Sequence, residues 1–428
     1  MTRISIVPRE TLSKPNQLDL LTRYLDVRTQ TLELAAPLSP EDQMVQSMPE
    51  ASPTKWHLAH TTWFFETFIL APLVRNYVPF DASYNYLFNS YYKQLGGHPH
   101  RAIRGAFSRP DLNEILRYRN HVDDWIETLF ERNVSADLLR LLELGMNHEQ
   151  QHQELIITDI KHAFWKNPLW PNYQPTQIKS VSSAAQPLLW VAFDEGIRDV
   201  GHSGISFAFD NEMPRHGTLI KPFRFASRLV TNAEYLEFIA DGGYQHPELW
   251  LSDAWDYINA NGVAAPLYWE REEDGWTTFT CQGNVPLNLS EPVCHVSFYE
   301  ADAFARWAGA RLPTEFEWEI AANSVEIRGN FLESGAFHPA PARSDTHLQQ
   351  MFGDTWEWTA SPYVAYPGYR PITGPTGEYN GKFMCNQMVL RGGSCATPQS
   401  HIRASYRNFF QPHARWQFSG IRLADDYP

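Results

Sequence analysis

His148 and His152 are the residues whose type and spacing most clearly suggest chemistry in this chain. On a helix, two histidines four residues apart lie one turn from each other on the same face and can bind one metal ion. Leu144 and Leu155 share that face, so both imidazoles are expected to point into the protein interior. Because two buried imidazoles need partners, the pair predicts a metal site.

Glu149 makes the run His148-Glu-Gln-Gln-His152 agree with the short zinc-peptidase pattern H-E-x-x-H. Such peptidases take a third ligand from beyond the pair, often after a glycine turn. The residues after His152 read Gln-Glu-Leu-Ile-Ile-Thr, and His162 lies too far along the same helix. We therefore reject the peptidase interpretation and expect Glu149 to point away from the metal, either behind the ligands or on the helix surface.

A third ligand is available upstream, in the run Trp56-His-Leu-Ala-His60. We prefer His60, and His57, one helical turn earlier, stays an alternative. Three neutral imidazoles leave up to three open positions on an octahedral metal, whereas non-haem iron(II) sites usually include a carboxylate. A substrate thiolate would supply the missing anion. Zinc fits the ligand type but performs no redox chemistry.

The elements that must position these histidines are helices. Apolar spacing predicts four of them, and one long connection separates the second from the third. Asp111 is the predicted cap of the third helix, and Pro168 should end the fourth. A helical bundle of this kind places metal sites in its core. The predicted helices cover residues 18–34, 56–70, 111–126 and 135–166.

The second half of the chain has a different texture. A Pro- and Ser-rich linker is predicted over 167–187, between a first domain at 1–166 and a second at 188–428. The second domain is rich in Gly, Pro, Asn and Trp, and only one clear helix is expected in it, near 298–309. The predicted fold class is therefore α+β and multidomain, with much irregular structure.

Composition excludes several classes of function. A net charge of −14 does not indicate the positively charged surface that binding of nucleic acid requires. The four cysteines show no C-x-x-C pairing and are expected to be reduced thiols. Neither a signal peptide nor a run of about 18 uncharged apolar residues is present, so membrane insertion is not expected. We expect a cytoplasmic protein, and the sequence does not give its oligomeric state.

Two family resemblances follow from longer motifs. The helical half, with His60, His148 and His152, resembles DinB-like metal-binding four-helix bundles. The second half resembles the formylglycine-generating-enzyme-like fold, which is related to C-type lectins. The matching pieces are Val230-Thr-Asn-Ala-Glu-Tyr235, the run from Val296 to Gly309, the run from Arg311 to Ala322, Gly353-Asp-Thr-Trp-Glu-Trp358, Arg391-Gly-Gly-Ser394 and Gly420-Ile-Arg-Leu423.

The fusion of these halves resembles the ergothioneine-biosynthetic sulfoxide synthases (EgtB) over nearly the whole chain. The resemblance implies a non-haem iron(II) oxidoreductase, a monooxygenase that uses dioxygen to join the sulfur of a cysteine-type donor to the imidazole of N-α-trimethylhistidine (hercynine). It implies His60, His148 and His152 as the iron ligands. Three open positions on one metal suit two substrates and dioxygen, because neighbouring reactants react far faster than separate ones.

The resemblance also implies a tyrosine near the metal as the proton source. Tyr91 and Tyr92 are favoured, because they lie in the long connection that should cover the mouth of the bundle. Tyr379 is the alternative, although its local spacing does not align cleanly with the family. Packing within the loop would equally explain the tyrosine pair.

The sulfur donor is inferred from a departure from the family pattern. Members that use γ-glutamylcysteine carry an aspartate and an arginine where this chain has Phe410 and Ala414. The resemblance therefore implies L-cysteine as donor, with γ-glutamylcysteine as the alternative. Arg101 and Arg104 are candidates for its carboxylate, because guanidinium groups bind carboxylates through two hydrogen bonds. A solvated basic loop is an equally good explanation of both arginines.

Hercynine carries a carboxylate and a quaternary ammonium group. Asn408 is implied as a polar contact by the family, and Gln151 lies next to His152. Phe409 and Trp416 could wall the quaternary nitrogen, which prefers aromatic faces. All four could instead be ordinary packing residues.

Three other functions compete with this interpretation. A formylglycine-generating enzyme needs a cysteine pair where this chain has Thr397 and Ile402, with Cys395 alone nearby. A zinc-dependent DinB-like hydrolase or thiol transferase would use the same histidines without dioxygen. A lectin-like binding protein would have no activity to lose on mutation of His60.

Overall fold

The computed structural model describes residues 14–131, 134–174, 186–343, 348–378 and 380–426. Its internal contacts divide the chain into two compact units, Met1–Asp159 and Ile160–Pro428. The predicted linker at 167–187 lies largely outside the described residues, because 175–185 are not among them. The expected domain limits therefore stay predictions.

The four predicted helices are present in the first part of the chain, with the expected long connection between the second and the third. The second helix continues beyond Phe65 as a π-helical segment, Glu66–Leu70. Two short helices and the 3₁₀ segments Lys93–Leu95 and Arg101–Ala106 lie in the connection. The helices are α1 (Lys14–Ala35), α2 (Thr54–Phe65), α3 (Ala71–Leu73), α4 (Tyr84–Leu87), α5 (Leu112–Phe130) and α6 (Ala136–Lys166).

Local sequence explains where two of these helices begin. Asp111 caps α5, where its Oδ1 accepts a hydrogen bond from the backbone N–H of Glu114 at 2.9 Å, as predicted. At the start of α6, the hydroxyl of Ser135 accepts from the N–H of Leu138 at 3.2 Å. Helix α6 ends at Lys166, two residues before Pro168, which cannot continue a helix.

Helix α2 is the centre of the first unit, because every residue from Thr54 to Phe65 is buried. Gly145 of α6 allows the close approach of α2. A Cβ atom at this position would lie 2.4 Å from the ring of Phe65, far inside contact distance. Since His60 is on α2 and His148 is one turn after Gly145, this approach helps to place the two imidazoles opposite each other.

The second unit contains four small sheets among its described residues. The largest has the order β10-β9-β8-β11, and the others are β1-β4-β12, β5-β6-β7 and β2-β3. Pairing is antiparallel except for β11 with β8. The strands are β1 (Trp190–Phe193), β2 (Gly196–Val200), β3 (His216–Ile220), β4 (Phe223–Ala226), β5 (Trp269–Glu272), β6 (Gly275–Thr280), β7 (Gly283–Pro286), β8 (Trp356–Pro362), β9 (Met388–Arg391), β10 (Asn408–Phe410), β11 (Ser419–Gly420) and β12 (Ala424–Asp426).

The expectation of one clear helix in this half is wrong. Besides the predicted helix, three further α-helices lie in the described part, each only eight to ten residues long. Helices of this length carry only a weak apolar periodicity, and the predicted helix, also of ten residues, is at the limit of recognition. Two of the missed helices have capping boxes, Thr231 with Glu234 and Thr314 with Glu317. The helices are α7 (Asn232–Ala240), α8 (Ser252–Asn261), α9 (Phe298–Trp307) and α10 (Glu315–Ala322).

Buried ion pairs support the irregular parts of the second unit. Arg422 Nε lies 2.8 Å from Glu357, and Arg391 and Arg407 both contact Glu315, within 3.0 Å. The predicted α+β class with much irregular structure is confirmed. All four cysteines are free, as expected. None of the described helices has the length and apolar character needed to cross a membrane.

Candidate metal centre

His60, His148 and His152 come together in the core of the first unit. Their candidate ligand atoms all lie within 4.8 Å of one another. The Nε2 atoms of His148 and His152 are 3.2 Å apart, as one turn of α6 dictates. Among the described residues, these are the one group of three or more histidine, cysteine or carboxylate side chains close enough to share a metal ion.

The outer nitrogens of two of these rings are already engaged. Nδ1 of His60 lies 2.6 Å from the carbonyl oxygen of Phe88 and must donate to it, because a carbonyl only accepts. Nδ1 of His152 lies 2.8 Å from Nδ1 of His57. In both histidines Nε2 is therefore the nitrogen that remains for a metal.

The protonation of the cluster suits metal binding. Burial, with the nearby charge of His148, lowers the pKa of His60 and of His152 well below the ordinary value. Burial also lowers the pKa of His148 to about 3, although Glu149 opposes the shift. The three imidazoles are therefore neutral near pH 7, the form that offers a lone pair. A buried set of three neutral nitrogen donors fits a first-row divalent metal ion.

Aromatic rings enclose the cluster. Trp56 stacks on His60 with ring centroids 4.5 Å apart, and Trp63 stacks on it from further along α2, at 5.5 Å. Phe64 packs against His148 at 4.9 Å. These rings are nearly inaccessible to solvent, so they restrict water around the histidines and strengthen electrostatic interactions there.

His57, the alternative ligand, occupies a different position. Its Nδ1 faces His152, and its Nε2 lies 3.1 Å from Oδ2 of Asp159. Both ring nitrogens of His57 thus have hydrogen-bond partners other than His60 and His148. Sequence reasoning missed Asp159, although its spacing offered a signal. It follows His152 by seven residues, two helical turns along the same face of α6.

Glu149 does not take part in the histidine cluster. Its carboxylate lies 2.9 Å from Nη1 of Arg28 and 3.0 Å from Nη2 of Arg119. Burial raises the pKa of Glu149, but the two guanidinium groups outweigh burial and hold it below its usual value. The expectation that Glu149 points away from the metal agrees with this geometry. The alternative that it lies on the helix surface is wrong, because the side chain is fully buried.

Arg104 is a buried cation beside the cluster. Its guanidinium carbon lies 3.5 Å from the centroid of the Trp56 ring, and Nη1 donates to the hydroxyl of Ser52 at 2.9 Å. No carboxylate among the described residues lies within ion-pair distance of it, although the group is only 5% exposed. Burial and the neighbouring Arg101 lower the pKa of Arg104. Its side chain also lines a pocket with Lys55, Trp56 and Phe88.

The alternative explanation, that Arg101 and Arg104 belong to a solvated basic loop, applies differently to the two arginines. For Arg104 it is wrong, since that side chain is buried. Arg101 is exposed, and its carbonyl accepts a hydrogen bond from the side chain of Gln46 at 2.9 Å. Gln151 is partly buried on α6, between His148 and His152 in the sequence.

The candidate tyrosines lie on the connection between α2 and α5. Tyr92 is buried and packs on Trp63 and Phe68, with centroids 5.6 and 5.1 Å away. Tyr91 is partly exposed, and its hydroxyl donates to that of Tyr92 at 3.3 Å. The alternative, Tyr379, lies outside the described residues.

The other predicted substrate residues belong to the second unit. Phe409, on β10, stacks on Tyr363 with centroids 4.0 Å apart. The side chain of Asn408 accepts a hydrogen bond from the N–H of Phe409 at 2.9 Å. Trp416 packs edge-on against Phe410 at 5.7 Å. Phe410 is partly exposed and Ala414 is buried.

The fold and the site define a class: a helical unit with a buried three-histidine centre, followed by a sulfatase-modifying-factor-like domain. The family profile described as "Sulfatase-modifying factor enzyme 1-like domain" matches residues 190–347 and 334–427. A formylglycine-generating enzyme of Streptomyces coelicolor is 29% identical over 52% of this chain and 84% of its own length.

Two further relatives are named hercynine oxygenase. The one from Mycolicibacterium thermoresistibile is 31% identical over 96% of both chains. The one from Mycolicibacterium smegmatis is 40% identical over 51% of this chain, a match that spans 56% of the relative's length. The chain therefore belongs to the hercynine oxygenase family, a family of oxygen-dependent oxidoreductases by its name.

Proposed function

We propose that this protein is an iron(II)-dependent sulfoxide synthase that joins the sulfur of L-cysteine to the imidazole of hercynine. The observation that carries the proposal is the buried, neutral cluster of His60, His148 and His152 in a chain of the hercynine oxygenase family. The overall reaction balances with one dioxygen. A C–H and an S–H bond are lost, a C–S and an S–O bond form, and one water is released.

His60, His148 and His152 would hold the iron through their Nε2 atoms. When bound, iron(II) supplies both the electrons that activate dioxygen and the vacant coordination positions at which the substrates meet. The protein's own contribution is a rigid set of neutral donors, since Phe88 and His57 fix two of the three rings. A neutral donor set suits a substrate that brings its own negative charge, as a thiolate does.

Arg104 is the residue that we assign to the carboxylate of the sulfur donor. A buried guanidinium with no carboxylate partner is costly, and an incoming anion would restore its balance of charge. The guanidinium group of Arg104 packs on the ring of Trp56, and the same ring stacks on the imidazole of His60. A donor bound at Arg104 would therefore lie within one aromatic side chain of His60. Exposed Arg101 would add to the attraction of the anion.

The donor is assigned as free L-cysteine because the second unit offers no charged pair for a γ-glutamyl group at the positions concerned. These positions carry Phe410 and Ala414. For hercynine, we keep two separate predictions: Gln151 of the first unit as a polar contact, and, in the second unit, Asn408 as a polar contact with Phe409 and Trp416 as walls for the quaternary nitrogen. An aromatic wall suits a permanent cation because the ring face is electronegative.

Tyr91 and Tyr92 are assigned as the source of the proton that the reduced oxygen requires. Their hydroxyls are hydrogen-bonded to each other, so a proton lost by one can be replaced through the other. The partly exposed Tyr91 is the better placed of the two to exchange protons with solvent.

Oxygen consumption and product mass test the proposal directly. Protein loaded anaerobically with iron(II) should consume dioxygen when given hercynine and L-cysteine together, and should form a product heavier than a thioether by one oxygen. His60→Ala serves as the control for the metal. Protein that bound only zinc and consumed no dioxygen with both substrates would overturn the assignment in favour of a zinc-dependent hydrolase or transferase.

A further inference from the structure

A continuous chain of hydrogen bonds stands behind one of the three histidines. Oδ2 of Asp159 accepts from the backbone N–H of Ser52 at 2.8 Å and lies 3.1 Å from Nε2 of His57. Nδ1 of His57 in turn lies 2.8 Å from Nδ1 of His152. Asp159, His57 and His152 are all buried, at 4%, 1% and 8% exposure, so water does not compete for these bonds.

The order of donors along this chain follows from the carboxylate at its end. A carboxylate accepts, so Nε2 of His57 must carry the hydrogen that points to Asp159. A neutral imidazole has one N–H, and Nδ1 of His57 is therefore an acceptor. Nδ1 of His152 must then be the donor, which leaves the lone pair of His152 on Nε2, 3.2 Å from Nε2 of His148.

We infer that Asp159 and His57 are positioning residues that fix the tautomer and orientation of His152 for the metal. This inference rests on the metal centre of the proposed function. Outer partners of metal-binding histidines orient the ring and raise its basicity. Here the partner is a second histidine backed by a carboxylate, whereas His60 is oriented by the neutral carbonyl of Phe88.

The hydrogen-bonded relay Asp159–His57–His152 matters because the three histidine ligands carry no negative charge. Asp159 supplies a carboxylate to the centre through two hydrogen bonds instead of by direct ligation. Direct ligation by a carboxylate would occupy a position that a substrate or dioxygen needs. The relay thus strengthens His152 as a donor and leaves the metal's open positions free.

Four variants separate positioning from general packing. Asp159→Ala removes the acceptor, and Asp159→Asn keeps an acceptor oxygen without the charge. In His57→Asn the amide lies near the position of Nδ1 and can still accept from His152. In His57→Gln it lies near Nε2 and reaches only towards Asp159. Glu66→Gln is the matched control, because Glu66 is a buried carboxylate of the same unit that instead accepts from Tyr118 at 2.6 Å.

The test is anaerobic titration of the metal-free proteins with iron(II), and with cobalt(II) as a spectroscopic probe of ligand geometry. Asp159→Ala and His57→Gln should weaken iron(II) binding about 10- to 100-fold and change the cobalt(II) absorption bands. Asp159→Asn should retain a higher affinity for iron(II) than Asp159→Ala, and His57→Asn a higher affinity than His57→Gln. Glu66→Gln should bind iron(II) as wild type does. If Asp159→Ala does not fold, the contrast between His57→Asn and His57→Gln decides the question.

Equal affinities for wild type and all four variants would overturn the relay. Wild-type protein that bound no divalent ion at the histidines would overturn the relay together with the metal centre. Failure of the proposed reaction alone is a separate result, because metal affinity is measured without substrates or dioxygen. A protein inactive with hercynine and cysteine could still show the predicted order of affinities.

Discussion

Oε2 of Glu149 lies 2.9 Å from Nη1 of Arg28, in an ion pair that is wholly buried in the helical unit. The acidic residue of the H-E-x-x-H run therefore has a structural partner and not a catalytic one. Removal of this carboxylate would leave Arg119 as a buried cation without its acidic partner. We predict that Glu149→Ala lowers the free energy of unfolding by about 3–5 kcal/mol.

Denaturant unfolding of the metal-free protein measures that loss. The fraction of Glu149→Ala that remains folded should bind iron(II) with the affinity of wild type. A stable variant that had lost turnover would contradict the structural role and would revive a catalytic one. Asp137→Ala provides the control for loss of an acidic residue on α6, because its ion pair with Arg140 is exposed.

Substitution of Arg104 should affect one substrate and not the other. Loss of a charge-assisted hydrogen bond to a carboxylate costs about 1.5–3 kcal/mol, so Arg104→Gln should raise the KM for cysteine about 10- to 100-fold. The KM for hercynine should stay unchanged. Steady-state kinetics with each substrate varied in turn provide the measurement. Arg75→Gln is the control, because that arginine is exposed in the same connection and does not line the pocket beside Arg104. An equal rise in both KM values would contradict the assignment.

The two tyrosines give a prediction about the product. Tyr91→Phe removes the partly exposed hydroxyl that donates to Tyr92 and keeps the ring that packs on it. We expect loss of sulfoxide formation with substrate binding retained, as judged by product mass and by substrate titration. Tyr92→Phe should show at least as large a loss, because Tyr91 donates to the hydroxyl of Tyr92 and would replace protons through it. Unchanged turnover in both variants would redirect attention to Tyr379.

The histidine cluster should make the metal-free protein sensitive to acid. Burial lowers the pKa of His57, His60, His148 and His152, and that of His148 falls to about 3. Below pH ~6.5 the unfolded chain binds protons at these histidines that the folded chain does not, so stability falls as pH decreases. Each such histidine contributes a slope of about 1.4 kcal/mol per pH unit.

Unfolding of the metal-free protein between pH 7 and 5 checks this slope, above the range in which most carboxylates titrate. His148→Gln should show a shallower slope than wild type, because one buried neutral imidazole has been removed. A stability that did not change with pH over this window would contradict the neutral, buried state of the cluster. In the presence of iron(II), the free energy of unfolding should fall more steeply as pH decreases, because protons compete with the metal for the same nitrogens.

The sequence predicted those features that depend on local spacing. One helical turn separates His148 and His152, so their proximity follows from the helix alone. The cap at Asp111 and the end of α6 before Pro168 are equally local. The short helices α7, α8 and α10 were missed, because fewer than three turns carry a weak periodicity that is easily overlooked.

Other features depend on tertiary packing and could not be read from spacing. The pairing of Glu149 with Arg28 joins two residues that are 121 positions apart in the chain. The choice between His57 and His60 required knowledge of which ring joins both His148 and His152 and which lies between His152 and Asp159. The burial of Arg104 follows from its packing on Trp56, and a run of loop residues gives no sign of such packing.

The most direct test of the proposed function is a donor competition in iron-loaded protein. Dioxygen uptake and product mass should be measured with hercynine plus L-cysteine, and then with hercynine plus γ-glutamylcysteine. We predict rapid uptake and a cysteine-derived sulfoxide in the first case, and much slower turnover in the second. Product from γ-glutamylcysteine alone would contradict the assigned donor, and no uptake with either thiol would contradict the proposed reaction itself.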